Sequence, residues 1–226
     1  MDTHNHWQAV FFDFDGVIAD STDIKVRAFA ELFAEHGPAV QAAVVRFHLD
    51  NGGMPRHSKL RHCCENIAGM AVDDSHLDRL GRRFADLVFD GVLAAPLMPG
   101  AAESLRWLER QQIPAFVVSA TPHEEMNRVA ERKGLRGFFL EVHGSPRGKS
   151  EIVADVVRRF AFAPQRCLFV GDALADLRAA RDTGLHFLGI VPAGSASRFP
   201  ADTAISATVL IPAAPTSRPL ADPGRS

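Results

Sequence analysis

The chain has 226 residues, 46% of them hydrophobic and 23% charged, with a formal net charge of −2. That composition excludes wholesale disorder, and the near-neutral charge excludes a broad attraction for nucleic acid or an anionic membrane. A small charged substrate would be held by a few local groups.

The opening residues are polar and lack the basic-then-apolar order of a signal peptide. His4 and His6 read as part of a mobile terminus rather than as metal ligands. No apolar run reaches the length needed to cross a bilayer. Cys63, Cys64 and Cys167 fit neither a disulfide framework nor a zinc site by spacing, so a cytoplasmic protein with reduced thiols is expected.

The first predicted strand is the short apolar run at 9–12, which stops at Asp13. After Gly16 the pattern turns helical for about seventy residues. Ala28 with Leu32, Phe29 with Phe33, and Leu77, Leu80, Phe84 and Leu87 recur at helical spacing. Further helices are expected over 40–47 and 57–67, divided by the turns at 35–38 and 51–53. From Pro96 helix and strand alternate. Helices are predicted over 101–109, 124–132, 150–160 and 176–182, with Gly134 as a stop after the second. Strands are predicted at 115–118, 138–142, 168–170 and 187–191, with an edge strand near 208–211. The expected fold is α/β: a parallel sheet covered on both faces, interrupted after its first strand by an all-helical insert. The domain reading is a core of residues 1–19 and 95–212, an insert at 20–94, and a disordered tail at 213–226.

Ligands bind an open parallel sheet at the carboxyl ends of its strands. There the sequence places Asp13 and Asp15, then Ser119, then Lys149, then Asp172 and Asp176. Two like charges about 4 Å apart at an effective dielectric near 20 repel by roughly 4 kcal/mol, so such carboxylates need a cation. An all-oxygen ligand set of this kind suits Mg²⁺.

Asp13 is placed to attack phosphorus as a carboxylate nucleophile. Asp15, past a turn that Gly16 permits, is placed to protonate the leaving oxygen and later to deprotonate water. Ser119 can donate to a phosphoryl oxygen, and Lys149 can neutralise charge on Asp13 and on the phosphoryl group. Asp172 is a direct metal-ligand candidate, and Asp176, one helical turn on, would orient Asp172 or a metal-bound water. Gly16 and Ala120 are candidate substrate-binding positions beside these groups. Each element alone is an ordinary turn or cap; their shared place after successive strands carries the reading.

The conjunction resembles the haloacid dehalogenase-like superfamily of phosphohydrolases. Residues 12–17 are similar to its first motif, Val118-Ser119 to its second, Lys149 to its third, and Gly171-Asp172 with Asp176 to its fourth. The resemblance spans about 8–191 and implies a Rossmann-like core with a helical cap. It also implies Mg²⁺ held by Asp13, the backbone carbonyl of Asp15, and Asp172. The cap resembles that of the β-phosphoglucomutase and phosphoglycolate phosphatase subgroup, with residues 51–56 similar to the loop that faces the active site there. An arginine at the place of Arg56 contacts phosphate in the mutase. Arg56 and Lys59, in a basic cluster with His57 and Arg61, are therefore expected to touch substrate.

Two departures narrow the function. Dehalogenases of the superfamily lack the second aspartate of the first motif, whereas Asp15 is present. The mutase pattern has a histidine ten residues after that aspartate, where this chain has Lys25. The expected activity is hydrolysis of a small phosphate monoester, a sugar phosphate or similar metabolite, through an aspartyl phosphate. A sugar phosphomutase is the alternative, and a catalytically idle binding protein is disfavoured by the intact set of polar residues.

Overall fold

In a computed structural model the described residues are 7–214, so His4, His6 and all but the first two residues of the tail expected at 213–226 lie outside them. Six parallel strands run in the order β3-β2-β1-β4-β5-β6, comprising β1 (Ala9–Phe12), β2 (Ala115–Pro122), β3 (Glu141–Ser145), β4 (Cys167–Gly171), β5 (His186–Ile190) and β6 (Ile205–Ser206). The order reverses at β1, which pairs with β2 on one side and β4 on the other. Connections therefore diverge at the carboxyl end of β1 and leave a crevice there, where ligands bind in open α/β sheets.

Both faces of the sheet are covered, which is why β1 and β4 are apolar throughout rather than alternating. On one face Ala9, Phe11, Phe116, Val118 and Phe169 pack against α7 (Lys149–Arg159) and α8 (Leu174–Thr183). The rings of Phe11 and Phe116 stack with centroids 5.0 Å apart. On the other face Val10, Phe12, Val117 and Val170 meet α5 (Ala101–Arg110) and α6 (His123–Arg132), and this core continues into the helices that follow β1.

Those helices are α1 (Thr22–Leu32), α2 (Pro38–Asp50), α3 (Arg56–His62) and α4 (Asp74–Ala94). The two chain segments leading into and out of them lie side by side, with the Asp20 N–H donating to Pro96 O at 2.9 Å and the Met98 N–H to Ile18 O at 3.0 Å. No helix among the described residues is long and apolar enough to cross a membrane.

Several boundaries differ from the sequence expectations. The predicted helix over 57–67 is α3 followed by a wider turn at Cys63–Ile67, closed by the Ala68 N–H on Cys63 O at 2.9 Å. The strand expected at 138–142 begins at Glu141 instead. Residues Arg136–Phe138 form a 3₁₀ turn and Phe139 is drawn into the core against Phe12, so the ladder starts opposite Phe116. The strand expected at 115–118 continues to Pro122 through a register shift, which puts Ser119, Ala120 and Thr121 in its last residues. The edge strand expected near 208–211 is absent among the described residues, and the edge is Ile205–Ser206. Val209 is instead buried across α5, its N–H on Pro99 O at 2.7 Å and its carbonyl accepting from Ser104 Oγ. Its apolar side chain is satisfied by a helix, so the local β-like pattern is not used for pairing.

Candidate active site

Asp13 ends β1 with its own N–H donating to Val170 O at 3.0 Å, which fixes the residue between β1 and β4. Its Oδ1 accepts the Phe14 N–H at 2.7 Å and its Oδ2 lies 2.8 Å from Lys149 Nζ. Lys149, the first residue of α7, is buried and also reaches Asp176 Oδ1 at 2.6 Å. Burial pushes the Asp13 carboxyl up to about 6, Lys149 pulls it back, and Asp176 and Asp15 push it up again. Burial lowers an ammonium, yet Asp13 and Asp176 outweigh it and hold Lys149 above the ordinary lysine range.

Asp172 follows β4 and faces Gly16 across the crevice. Gly16 has φ +76°, and a Cβ there would collide with Asp172 Oδ2, so glycine is required on both counts. Burial, then the charges of Asp13 and Asp176, hold the Asp172 carboxyl well above the usual range. Carboxylate oxygens of Asp13, Asp172 and Asp176 lie within 4.8 Å of one another. An all-oxygen set this crowded, with two of its members resisting ionisation, fits a hard divalent cation. Asp176 is fully buried with both oxygens engaged, Oδ1 by Lys149 and Oδ2 by the Ala173 N–H at 3.0 Å. It is placed to anchor Lys149 and the start of α8. It also stands in the carboxylate cluster with Asp172, the residue that, with a metal-bound water as the alternative, it is expected to orient.

The Asp15 side chain turns away from that cluster. Its Oδ1 accepts from Ser21 Oγ at 2.6 Å, and its Oδ2 meets Lys25 Nζ, which also donates to Thr121 Oγ1 at 2.8 Å. Burial alone would raise the Asp15 carboxyl, but Lys25 and Ser21 hold it below its ordinary value. Ser119 is buried at the end of β2, and its Oγ accepts the Thr121 N–H at 3.1 Å, which leaves its own proton to donate. One cleft is lined by Asp13, Asp15, Ser119, Ala120 and Asp172 on the sheet side, and by Lys25, Phe29, His48, Gly52, Gly53, Arg56, Lys59 and Phe84 on the helical side.

Gly53, with φ +77°, brings the loop between α2 and α3 onto the start of α8, where a Cβ would come within 2.7 Å of Ala175 Cβ. The two residues expected to touch substrate from this side are both brought to the cleft, on different terms. Arg56 forms a buried two-pronged ion pair with Glu125 of α6, at 2.7 and 2.6 Å, and lies over the Phe84 ring at 4.6 Å. Lys59 lies 3.2 Å from His48 Nδ1.

Glu125, His48 and Thr121 carry no role in the sequence expectations, and Lys25 enters them only as a departure. Thr121, two residues past Ser119 in β2, is within reach of the strand-end rule, whereas Glu125 lies in the first turn of α6 and is not. No pattern in the sequence marks His48, whose role depends on how α2 packs against α3.

A parallel sheet with carboxylates and a lysine gathered at its switch point has the Rossmann-like α/β arrangement of an enzyme that binds its ligand at the strand ends. Residues 7–184 match the haloacid dehalogenase-like hydrolase family model, and the chain belongs to that family. It is 26% identical over 187 residues to a phosphoglycolate phosphatase of Pseudomonas putida, covering 80% of this chain and 68% of that one. It is 24% identical over 192 residues to the 2-hydroxy-3-keto-5-methylthiopentenyl-1-phosphate phosphatase of Microcystis aeruginosa, covering 79% and 82%. The fold matches the crystal structure of CbbY from Rhodobacter sphaeroides in complex with phosphate, with a TM-score of 0.69 at 21% identity, covering 90% and 95%.

Proposed function

We propose that this chain is a Mg²⁺-dependent phosphatase that hydrolyses a small phosphate monoester, a sugar phosphate or similar metabolite, through an aspartyl phosphate on Asp13. The observation that carries the reading is the buried Asp13, tied to Lys149 at 2.8 Å and grouped with Asp172 in a carboxylate cluster. The relatives named above are phosphatases of small metabolites, which supports the same class.

In the first half-reaction a carboxylate oxygen of Asp13 attacks phosphorus, the bond to the substrate's ester oxygen breaks, and that oxygen takes a proton from Asp15. In the second, water attacks the phosphorus of the aspartyl phosphate, Asp15 takes its proton, and the bond to Asp13 breaks to release phosphate. The ionised state that Lys25 favours in Asp15 suits the second step, while the first needs the acid form. The two halves thus make opposite demands on one ion pair. Ser119 and Lys149 donate to the phosphoryl oxygens. Asp13, Asp172 and the Asp15 backbone carbonyl would hold Mg²⁺, which neutralises charge on these carboxylates and on the phosphoryl group.

We read residues 20–94 as a cap over a core formed by 1–19 and 95–212, since the paired segments at Asp20 and Met98 are natural hinge positions. Three buried, unpaired cysteines suit a reducing compartment such as the cytoplasm.

The test is phosphate release from a panel of sugar phosphates and small acid phosphates, with Mg²⁺ and with chelator. Metal-dependent release from a narrow group is expected, and Asp13→Asn, nearly isosteric, should lose more than about 10⁴-fold. Near-normal turnover by that variant would remove Asp13 as nucleophile.

A further inference from the structure

The helical insert meets the core along two edges of the cleft, and the two edges are built differently. One edge runs along α6. Glu125, in its first turn, holds Arg56 of α3 in the buried two-pronged pair. Arg128 lies over the ring of Phe89 in α4 at 5.4 Å. Lys133, just past the end of α6, donates to the carbonyls of Val92, Leu93 and Ala95 at 3.1, 2.9 and 2.7 Å. These carbonyls close α4, where the helix supplies no donors of its own and its dipole favours a cation. The ties therefore follow the whole of α6 and end at the segment by which the chain leaves the insert.

The other edge is the mouth of the cleft, where the turn at 51–53 rests on the start of α8. Contact there is between small groups. A Cβ on Gly52 would lie 3.1 Å from Ala173 Cβ, and one on Gly53 2.7 Å from Ala175 Cβ. Among the described residues, the charged tie at this edge comes from residues 191–204, between β5 and β6. Arg198 Nη1 donates to the carbonyl of Leu49 in the last turn of α2 and lies 3.6 Å from Asp50 Oδ1. Both charged side chains are more than half exposed. The next residue, Phe199, is buried edge-to-face with Phe187 at 5.3 Å. It fills the space left by Gly189, where a Cβ would come within 2.6 Å of its ring. The arginine is thus presented from a root fixed in the sheet.

Parting a buried ion pair leaves two charges without water, whereas an exposed pair is worth little and is screened by salt. A motion that admits a ligand would keep the α6 edge and part the mouth. We propose that residues 191–204 are a strap: the insert turns about α6, and Arg198, fastened to the end of α2, holds the mouth shut. The proposal concerns access to the cleft in which Asp13 is read as the nucleophile. Distances across the two edges test it without turnover, so failure of the phosphatase reading leaves it standing.

Cys63, Cys64 and Cys167 are buried, so spin labels would go on exposed cysteines introduced into the full chain. Arg46→Cys in α2 with Arg178→Cys in α8 spans the mouth; Asp86→Cys in α4 with Glu131→Cys in α6 spans the other edge. Pulsed electron resonance reads both distances in dilute buffer and in ~1 M salt, where the Debye length is roughly 3 Å. Arg198→Ala should lengthen the mouth distance by ~5 Å, the length of one helical turn, and leave the α6 distance unchanged. Salt should do the same while Arg198 is in place and add nothing in Arg198→Ala. Arg198→Lys, which keeps a charged donor, should hold the shorter distance.

An unchanged mouth distance in Arg198→Ala, or equal lengthening at both edges, overturns the proposal. So does a mouth that ignores salt with Arg198 in place, or one that still responds to salt in Arg198→Ala. A distance in Arg198→Lys as long as in Arg198→Ala would assign the effect to loop packing and overturns it as well.

Discussion

On the sheet side of the cleft, Asp13 and Asp172 directly follow β1 and β4, which pair in parallel, and Ser119 lies in the second half of β2. On the helical side, Lys59, Arg56 and His48 hang from α2 and α3 and rest on the rings of Phe29 and Phe84. The sheet side gathers like charges and needs a cation to complete it. The helical side gathers cations, neutralises Arg56 with Glu125, and sets Lys59 against His48. On the proposed reading, the first wall acts on the phosphoryl group and the second faces the rest of the ester.

The sharpest way to break that division is at Asp15, where the two walls touch through Lys25. Asp15→Asn removes the proton carrier while leaving Asp13 and Lys149 in place. Turnover of an alkyl phosphate should fall by about 10²–10⁴-fold, and turnover of an activated aryl phosphate by much less, because its leaving group needs little protonation. Steady-state rates on the two ester types check this. Equal losses on both would show that Asp15 serves the site through its charge or its fold alone.

The same division decided what could be read from sequence. Asp13 and Asp172 were legible because each directly follows a strand of the parallel sheet, and Ser119 and Lys149 because they lie near the carboxyl ends of β2 and β3. The burial of Lys59 and the capture of Arg56 by Glu125 were not, because they depend on how α3 lies against α2, α4 and α6. Arg56 and Lys59 look alike in the sequence, three residues apart in one basic cluster, yet one is neutralised and the other is not. The misplaced edge strand has the same origin. Val209 has a strand-like neighbourhood, but tertiary burial on α5 decided its fate.

The Arg56–Glu125 pair gives the next test of that contrast. Both partners are about nine-tenths buried and join α3 to α6. Removing one charge from a buried pair strands the other, at about 3–5 kcal/mol, whereas replacing both by apolar residues of similar volume is often neutral. Glu125→Gln should therefore be strongly destabilising in urea unfolding, and Arg56→Met with Glu125→Leu should recover most of the loss. If the double variant were as unstable as the single one, the pair would be needed for its hydrogen bonds rather than tolerated as a neutralised wall.

The cation expected on the sheet side yields the smallest effect and the clearest sign. Burial raises Asp13 to about 6 from an ordinary value of 3.8, so between those values the folded state binds more protons than the unfolded chain. By linkage, the metal-free protein loses stability as pH rises through that window, and the loss is complete above the folded value. Asp172, also raised, adds in the same direction. A divalent cation binds the ionised carboxylates and must compete with these protons. At about 100 times its Kd the cation contributes about 2.7 kcal/mol, or about 5–10 °C in melting temperature for a chain of this size. That gain should be present at pH 7.5 and much reduced at pH 5, where Asp13 holds its proton. Melting curves with Mg²⁺ and with chelator at the two pH values measure it. An equal gain at both would place the cation on groups other than this cluster. No gain at pH 7.5 would mean that Lys149 alone balances the carboxylates.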